Sequence, residues 1–155
     1  MNVTSTVLSE SPSKPIDILL VEDNPGDVEL TREALQECAI PLRVSVVHDG
    51  VEALAFLRRE GRHADAPRPD LVLLDLNVPK LDGRGVLAEA KGDAALRDIP
   101  IVVLTSSQAS TDVRRAYALH ANAYVAKPVD LDQHLAAVRA VVEFWGTVAL
   151  RARED

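Results

Sequence analysis

The chain has 155 residues, 47% of them hydrophobic and 26% charged, and a formal net charge of -7. That length suits one domain around a single core, and no apolar run approaches the roughly 20 residues that a bilayer-spanning helix requires. The acidic balance argues against non-specific nucleic-acid binding, which needs clustered Lys and Arg, and the single cysteine, Cys38, excludes an internal disulfide.

Cys38 is expected to fill core space near a helix end. Met1 to Pro15 lacks the basic start and apolar centre of a signal peptide. A lone free thiol fits a reducing, cytoplasmic setting.

Apolar runs alternate with helical patterns along the chain. Ile16 to Val21 reads as a strand. Asn24 is placed to cap a helix from Pro25 to Cys38, with Pro25 at its first position. Arg43 to Val47 reads as a second strand, and Asp49 can cap a helix from Gly50 to about Glu60. After a polar loop, Gly61 to Pro69, the run Leu71 to Leu74 is a short strand, apolar on both faces. A helix is expected from about Gly83 to Lys91, a strand over Ile101 to Leu104 and a helix over Ser110 to Leu119. Ala123 to Val125 is the last strand, and Asp130 caps a final helix that reaches Trp145 or beyond. Strands that are apolar throughout and separated by helices indicate a parallel sheet covered on both faces. Five such units are too few for an eight-stranded barrel, which leaves an open doubly wound sheet.

In such sheets ligands bind beyond the carboxyl ends of the strands. Glu22, Asp23, Asp75, Thr105 and Lys127 all lie just past strand ends. Magnesium wants hard oxygen ligands; Asp23 and Asp75 can supply two, and Glu22 can act directly or through water. Asp75 follows the middle strand and is the natural nucleophile for an aspartyl phosphate. Lys127 supplies a fixed positive charge for phosphoryl oxygens, and Thr105 a hydroxyl. Asn77 and Ser107 lie where they could position a water for hydrolysis. Gly83-Arg84-Gly85 imitates a dinucleotide-binding fingerprint, but Asp75 to Asp82 separates it from its strand.

Four fragments in order complete the pattern: Glu22-Asp23, Asp75-Leu76-Asn77-Val78-Pro79-Lys80-Leu81-Asp82-Gly83, Leu104-Thr105-Ser106 and Tyr124-Val125-Ala126-Lys127-Pro128. From roughly Ile16 to Trp145 the chain resembles a response-regulator receiver domain, the phosphoacceptor module of two-component signalling. The resemblance implies that Asp75 is phosphorylated and that Asp23, Asp75 and the backbone carbonyl of Asn77 bind Mg2+, for which Mn2+ can substitute, with Glu22 acting through water. It implies that Thr105, Ser106 and Lys127 contact the phosphoryl group and that Thr105 and Tyr124 form a switch. Together with the need to aim the Lys127 ammonium back across the sheet edge, it suggests a cis Lys127–Pro128 peptide. The expected fold is α/β, a doubly wound five-stranded parallel sheet of flavodoxin-like order 2-1-3-4-5. Residues 15–148 form the domain, flanked by a flexible tail over 1–14 and a C-terminal tail over 149–155.

More narrowly, Val21-Glu22-Asp23-Asn24-Pro25-Gly26-Asp27, His120-Ala121-Asn122-Ala123-Tyr124 and Phe144-Trp145 resemble the single-domain regulators paired with bacterial phytochrome histidine kinases. That implies a sensor histidine kinase of the bacteriophytochrome type as donor and signalling through an unidentified downstream protein. A receiver acting as a phosphate sink or relay is the alternative within the family. From another class, a magnesium-dependent phosphohydrolase with an aspartate nucleophile would need a second aspartate two residues on as general acid, where this chain has Asn77. Catalysis on a separate substrate is therefore not expected.

On the final helix, Leu131, Leu135, Val138, Val142 and Trp145 form one apolar stripe suited to the core. Ala137, Val141, Phe144 and Val148 form a second, and Val141, Phe144 and Val148 are the expected face of a homodimer. His120 and His134 are expected to pack at the surface.

Overall fold

The strands are apolar on both faces because both faces are covered. The computed structural model describes residues 15–148, and the expected tails over 1–14 and 149–155 lie outside the described residues. Strands β1 (Ile16–Val21), β2 (Leu42–Val47), β3 (Leu71–Leu74), β4 (Ile101–Thr105) and β5 (Ala123–Ala126) form one parallel sheet in the order β2-β1-β3-β4-β5. Helices α1 (Pro25–Gln36), α2 (Gly50–Arg58), α3 (Gly83–Gly92), α4 (Ser110–Ala118) and α5 (Leu131–Glu143) connect and cover it, with a 3-10 turn at Gly61–His63. This is the doubly wound arrangement expected from the alternation of elements.

The period of two in each strand divides the core. Leu19, Val21, Val72, Leu74, Ile101 and Val103 face one side, against Leu57 of α2, Val86 and Leu87 of α3 and Ala116 of α4. Ile18, Leu20, Leu71, Leu73, Val102 and Leu104 face the other, against Val28 and Leu35 of α1 and Val138 and Val142 of α5.

Capping follows the sequence closely. Asn24 accepts a hydrogen bond from the Asp27 N–H, Asp49 from Glu52, Asp82 from Gly85 and Asp130 from Gln133. The last helix departs from expectation. It ends at Glu143 and continues as a π-helical stretch over Phe144–Val148. Its buried residues are His134, Val138 and Val142, while Leu131 is 48% exposed. Positions i, i+4 and i+8 set that face, so the core stripe begins on His134, which was expected at the surface. Cys38 is half-buried just past α1, its thiol 3.7 Å from the Ala34 carbonyl.

Two glycines seat the loop that leaves β3. A Cβ on Gly50 would stand 1.8 Å from the Leu81 carbonyl oxygen, and one on Gly83 would stand 2.6 Å from Leu76 Cα. The Gly50 N–H donates to Pro79 O at 3.3 Å, and the Gly83 N–H to Leu76 O at 2.9 Å. The segment from Leu76 to Asp82 is thus pressed against the start of α2 and folded back on itself. That leaves the end of β3 held at the sheet edge.

Candidate phosphoacceptor site

The register places the strand ends level. Val21 pairs with both Val47 and Leu74, Leu74 with Val103, and Thr105 with Ala126. The pairing continues one step further. Glu22 N–H donates to Val47 O at 3.0 Å, Asp75 N–H to Val21 O at 3.1 Å, and Lys127 N–H to Thr105 O at 2.7 Å. Glu22, Asp75, Thr105 and Lys127 are therefore fixed by backbone hydrogen bonds before any side-chain contact is considered.

Their side chains converge. Lys127 Nζ donates to Glu22 Oε1 at 2.6 Å, Asp27 Oδ2 at 2.9 Å and Asp75 Oδ2 at 3.1 Å. The other Asp75 oxygen, Oδ1, accepts from the Asn77 N–H at 2.9 Å and from Thr105 Oγ1 at 3.2 Å. Glu22 and Thr105 are buried, and the Asp75 side chain retains 11% exposure, so the carboxylate can still be reached from solvent.

Electrostatics follow from burial and the shared cation. Burial pushes the Glu22 carboxyl up to about 7, with the Asp75 charge adding to the rise and Lys127 opposing it. Burial acts on Asp75 in the same sense, but the Asn77 N–H and the Lys127 charge outweigh it and hold the carboxyl below its usual value. Burial would lower the Lys127 ammonium; its bonds to Glu22 and Asp27 reverse that and raise it. Asp75 is thus an ionised carboxylate with two oxygens in different surroundings.

Of the acids expected from sequence, Glu22 and Asp75 meet here and Asp23 does not; it lies exposed beside them. The third member is Asp27, whose carboxylate comes within 4.8 Å of those of Glu22 and Asp75. The signal for it lay in the first turn of α1, where an acid three residues after the Asn24 cap is turned back toward the strand ends. Ser106 and Asn77 are exposed. The Ser107 hydroxyl donates to Asp112 Oδ2 at 2.6 Å. Tyr124 packs its ring beside the core and donates its hydroxyl to Ser107 O at 2.8 Å. The expected cis bond between Lys127 and Pro128 is not found: no peptide bond among the described residues is cis. The ammonium reaches all three carboxylates from a trans backbone, so aiming it does not require the rarer isomer.

Residues 18–139 match the model of the response regulator receiver domain. This chain belongs to that family. It is 43% identical over 146 residues to the response regulator Rcp1 of Synechocystis sp., covering 94% of this chain and 99% of the relative. Among solved structures, it resembles that of the phosphorylated cyanobacterial phytochrome response regulator RcpA with a TM-score of 0.87 at 47% identity, over 90% of this chain and 100% of the other. The Mn2+-bound form of Rcp1 superposes with a TM-score of 0.85 at 42% identity, over 90% of this chain and 100% of that one. The bacteriophytochrome response regulator AtBRR gives 0.71 at 43% identity, over 92% and 100%.

One neighbour of the site is a buried imidazole. His134 is 4% exposed, and its Nε2 has no partner among the described residues. Burial holds its imidazole below the usual value, the Lys127 charge adds to that, and Asp27 opposes it. The folded protein therefore resists taking up the proton that the unfolded chain accepts near pH 6.5. Stability is lost as the pH falls below that value. Replacing His134 with Leu should remove this loss: between about pH 7.5 and about pH 5.5 the parent should weaken relative to the variant in urea unfolding. Parallel pH profiles would show that His134 titrates alike in both states.

Proposed function

We propose that the protein is a single-domain response regulator that accepts a phosphoryl group on Asp75 from a sensor histidine kinase. The observation that carries this is the two-sided grip on the Asp75 carboxylate, with Lys127 on one oxygen and Asn77 N–H and Thr105 on the other. In the transfer, the N–P bond of a phosphohistidine breaks as an O–P bond to Asp75 forms, and the imidazole nitrogen keeps the electron pair. Lys127 neutralises the incoming phosphoryl oxygens, and Thr105 and Ser106 offer hydroxyls to them. The phosphoryl group then draws the Thr105 hydroxyl, and Tyr124 answers at the neighbouring strand. Phosphorylation thereby shifts a pre-existing population of the α4–β5–α5 face toward an unidentified downstream protein.

The residues present fit a hard divalent cation, because the donors are carboxylate oxygens gathered at the open edge of the sheet. Asp23, Asp75 and the Asn77 carbonyl are the proposed ligands, with Glu22 through water and Asp27 as a further acid. When bound, Mg2+, or Mn2+ in its place, adds positive charge where phosphoryl oxygens arrive. Similarity to RcpA and AtBRR favours a kinase of the bacteriophytochrome type, and membership of the receiver family favours work in the cytoplasm. The phosphohydrolase alternative finds no support: Asn77 stands where a general acid would be needed, and its N–H serves Asp75. A phosphate-sink role remains a second use of the same chemistry.

Incubation with acetyl phosphate and Mg2+ should add one phosphoryl mass to the intact protein and none to Asp75→Asn. An adduct that persists in Asp75→Asn would place the acceptor elsewhere.

We also infer a homodimer through the end of α5. Phe144 is 49% exposed, meets Trp145 edge-on at 5.6 Å, and borders a hollow of about 300 Å³ with Val102, Ala123 and Val141. The Val148 side chain, also expected at this face, lies outside the described residues. Phe144→Asp should convert a sedimenting dimer into a folded monomer. A parent that is monomeric at micromolar concentration rules the dimer out.

A further inference from the structure

A chain of contacts outside the acidic cluster joins the two loops that flank Asp75. Arg84, in the first turn of α3, donates from Nη2 to Asp112 Oδ1 at 2.8 Å. Asp112, in the first turn of α4, accepts the Ser107 hydroxyl on its other oxygen at 2.6 Å. The Ser107 carbonyl in turn accepts the Tyr124 hydroxyl at 2.8 Å.

Each link has a local reason. Helix α4 has Ala109 at its N-cap and so no side-chain cap of its own. Just ahead of it, Ser107 Oγ accepts from the Ala109 N–H at 3.4 Å and donates to Asp112. Ser107 lies two residues after Thr105, in the connection from β4 to α4. Arg84 follows Gly83, the residue that closes the loop from Asp75. The ion pair therefore ties the loop after the phosphoacceptor to the loop after the switch hydroxyl. Arg84 and Asp112 are both half-buried, and Ser107 and Arg84, in that order, hold the Asp112 carboxyl below its usual value.

We propose that Arg84 and Asp112 form a latch that fixes the Ser107 carbonyl and thereby sets how readily Tyr124 leaves its inward position. They are positioning residues: neither touches Asp75 or the carboxylate cluster. The proposal rests on Tyr124 being the switch of a phosphoaccepting receiver. With the latch closed, the Tyr124 hydroxyl has a fixed acceptor and its ring stays beside the core. With it open, the connection over Ser106 to Ala109 loses its tie to α3, and the inward position loses its anchor.

The test uses the full chain labelled with 3-fluorotyrosine and observed by fluorine NMR without any phosphodonor. The protein has two tyrosines; the signal lost in Tyr124→Phe is that of Tyr124, and this assignment keeps the Tyr117 hydroxyl, which accepts the Tyr124 N–H at 3.1 Å, in every other variant. Arg84→Ala and Asp112→Ala should each raise the outward population of Tyr124, on the order of tenfold, and the double variant should do no more than either single one, as expected of partners in one contact. Ser107→Ala, which keeps the carbonyl and loses only the hydroxyl, should shift the Tyr124 signal in the same direction. Should either alanine variant at the ion pair fail to fold, Ser107→Ala decides. A Tyr124 signal unchanged from the parent, or effects that add in the double variant, overturns the latch. Acetyl phosphate labelling, measured separately by intact mass, should persist in the latch variants. Its absence from the parent would sink the receiver chemistry, whereas a parent that is labelled beside variants with an unmoved Tyr124 signal would sink the latch alone.

Discussion

One ammonium shared among three carboxylates governs this sheet edge. Glu22, Asp27 and Asp75 place carboxylate oxygens within 4.8 Å of one another. At the dielectric effective near a protein surface, two like charges about 4 Å apart repel by about 4 kcal/mol. Lys127 offsets that repulsion from a single point; burial still pushes the Glu22 carboxyl up to about 7, and the Asp75 charge adds to the rise. The lysine can do this because its own backbone is pinned to Thr105. The pairing of β5 with β4 therefore sets where the charge sits, and the packing of the sheet becomes a condition of the chemistry.

The same dependence explains the shape of the surrounding loops. Asp75 must stay at the mouth of β3 while the chain after it turns toward α3. Gly50 and Gly83 allow this by removing the side chains that would collide with Leu81 and Leu76. The Asn77 N–H is thereby delivered to the Asp75 carboxylate. A rigid sheet edge, a loop pressed on α2 and a loop tied to α4 leave the nucleophile few ways to move.

The strands, their order and the residues at their ends were legible from sequence because they follow from short, continuous signals. An apolar run that stops at an acid, and a Pro or Asp at a helix start, keep their meaning in any context. What was not legible depends on three-dimensional placement. Asp27 joins the cluster only because α1 directs its first turn over the strand ends. His134 replaces Leu131 on the buried face because the phase of α5 is set by where it meets the sheet, which the apolar stripe alone did not fix. Lys127–Pro128 is trans, and the long Lys127 side chain meets three acceptors from that backbone. The contact of Ser107 with Asp112, on the next helix, likewise depends on how the connection from β4 folds.

Lys127 serves as the resident counter-charge of the acidic cluster. Urea-unfolding free energies of Lys127→Met and of the parent, at about pH 8 with and without Mg2+, test this most sharply; that pH lies above the value of about 7 to which burial pushes Glu22 in the parent. Removing one partner from a buried charge cluster costs about 3–5 kcal/mol. A loss approaching that size is expected without the cation, with a larger gain from Mg2+ in the variant than in the parent, because the cation then replaces the missing charge. An unchanged stability, or an equal gain from Mg2+ in both proteins, would contradict it.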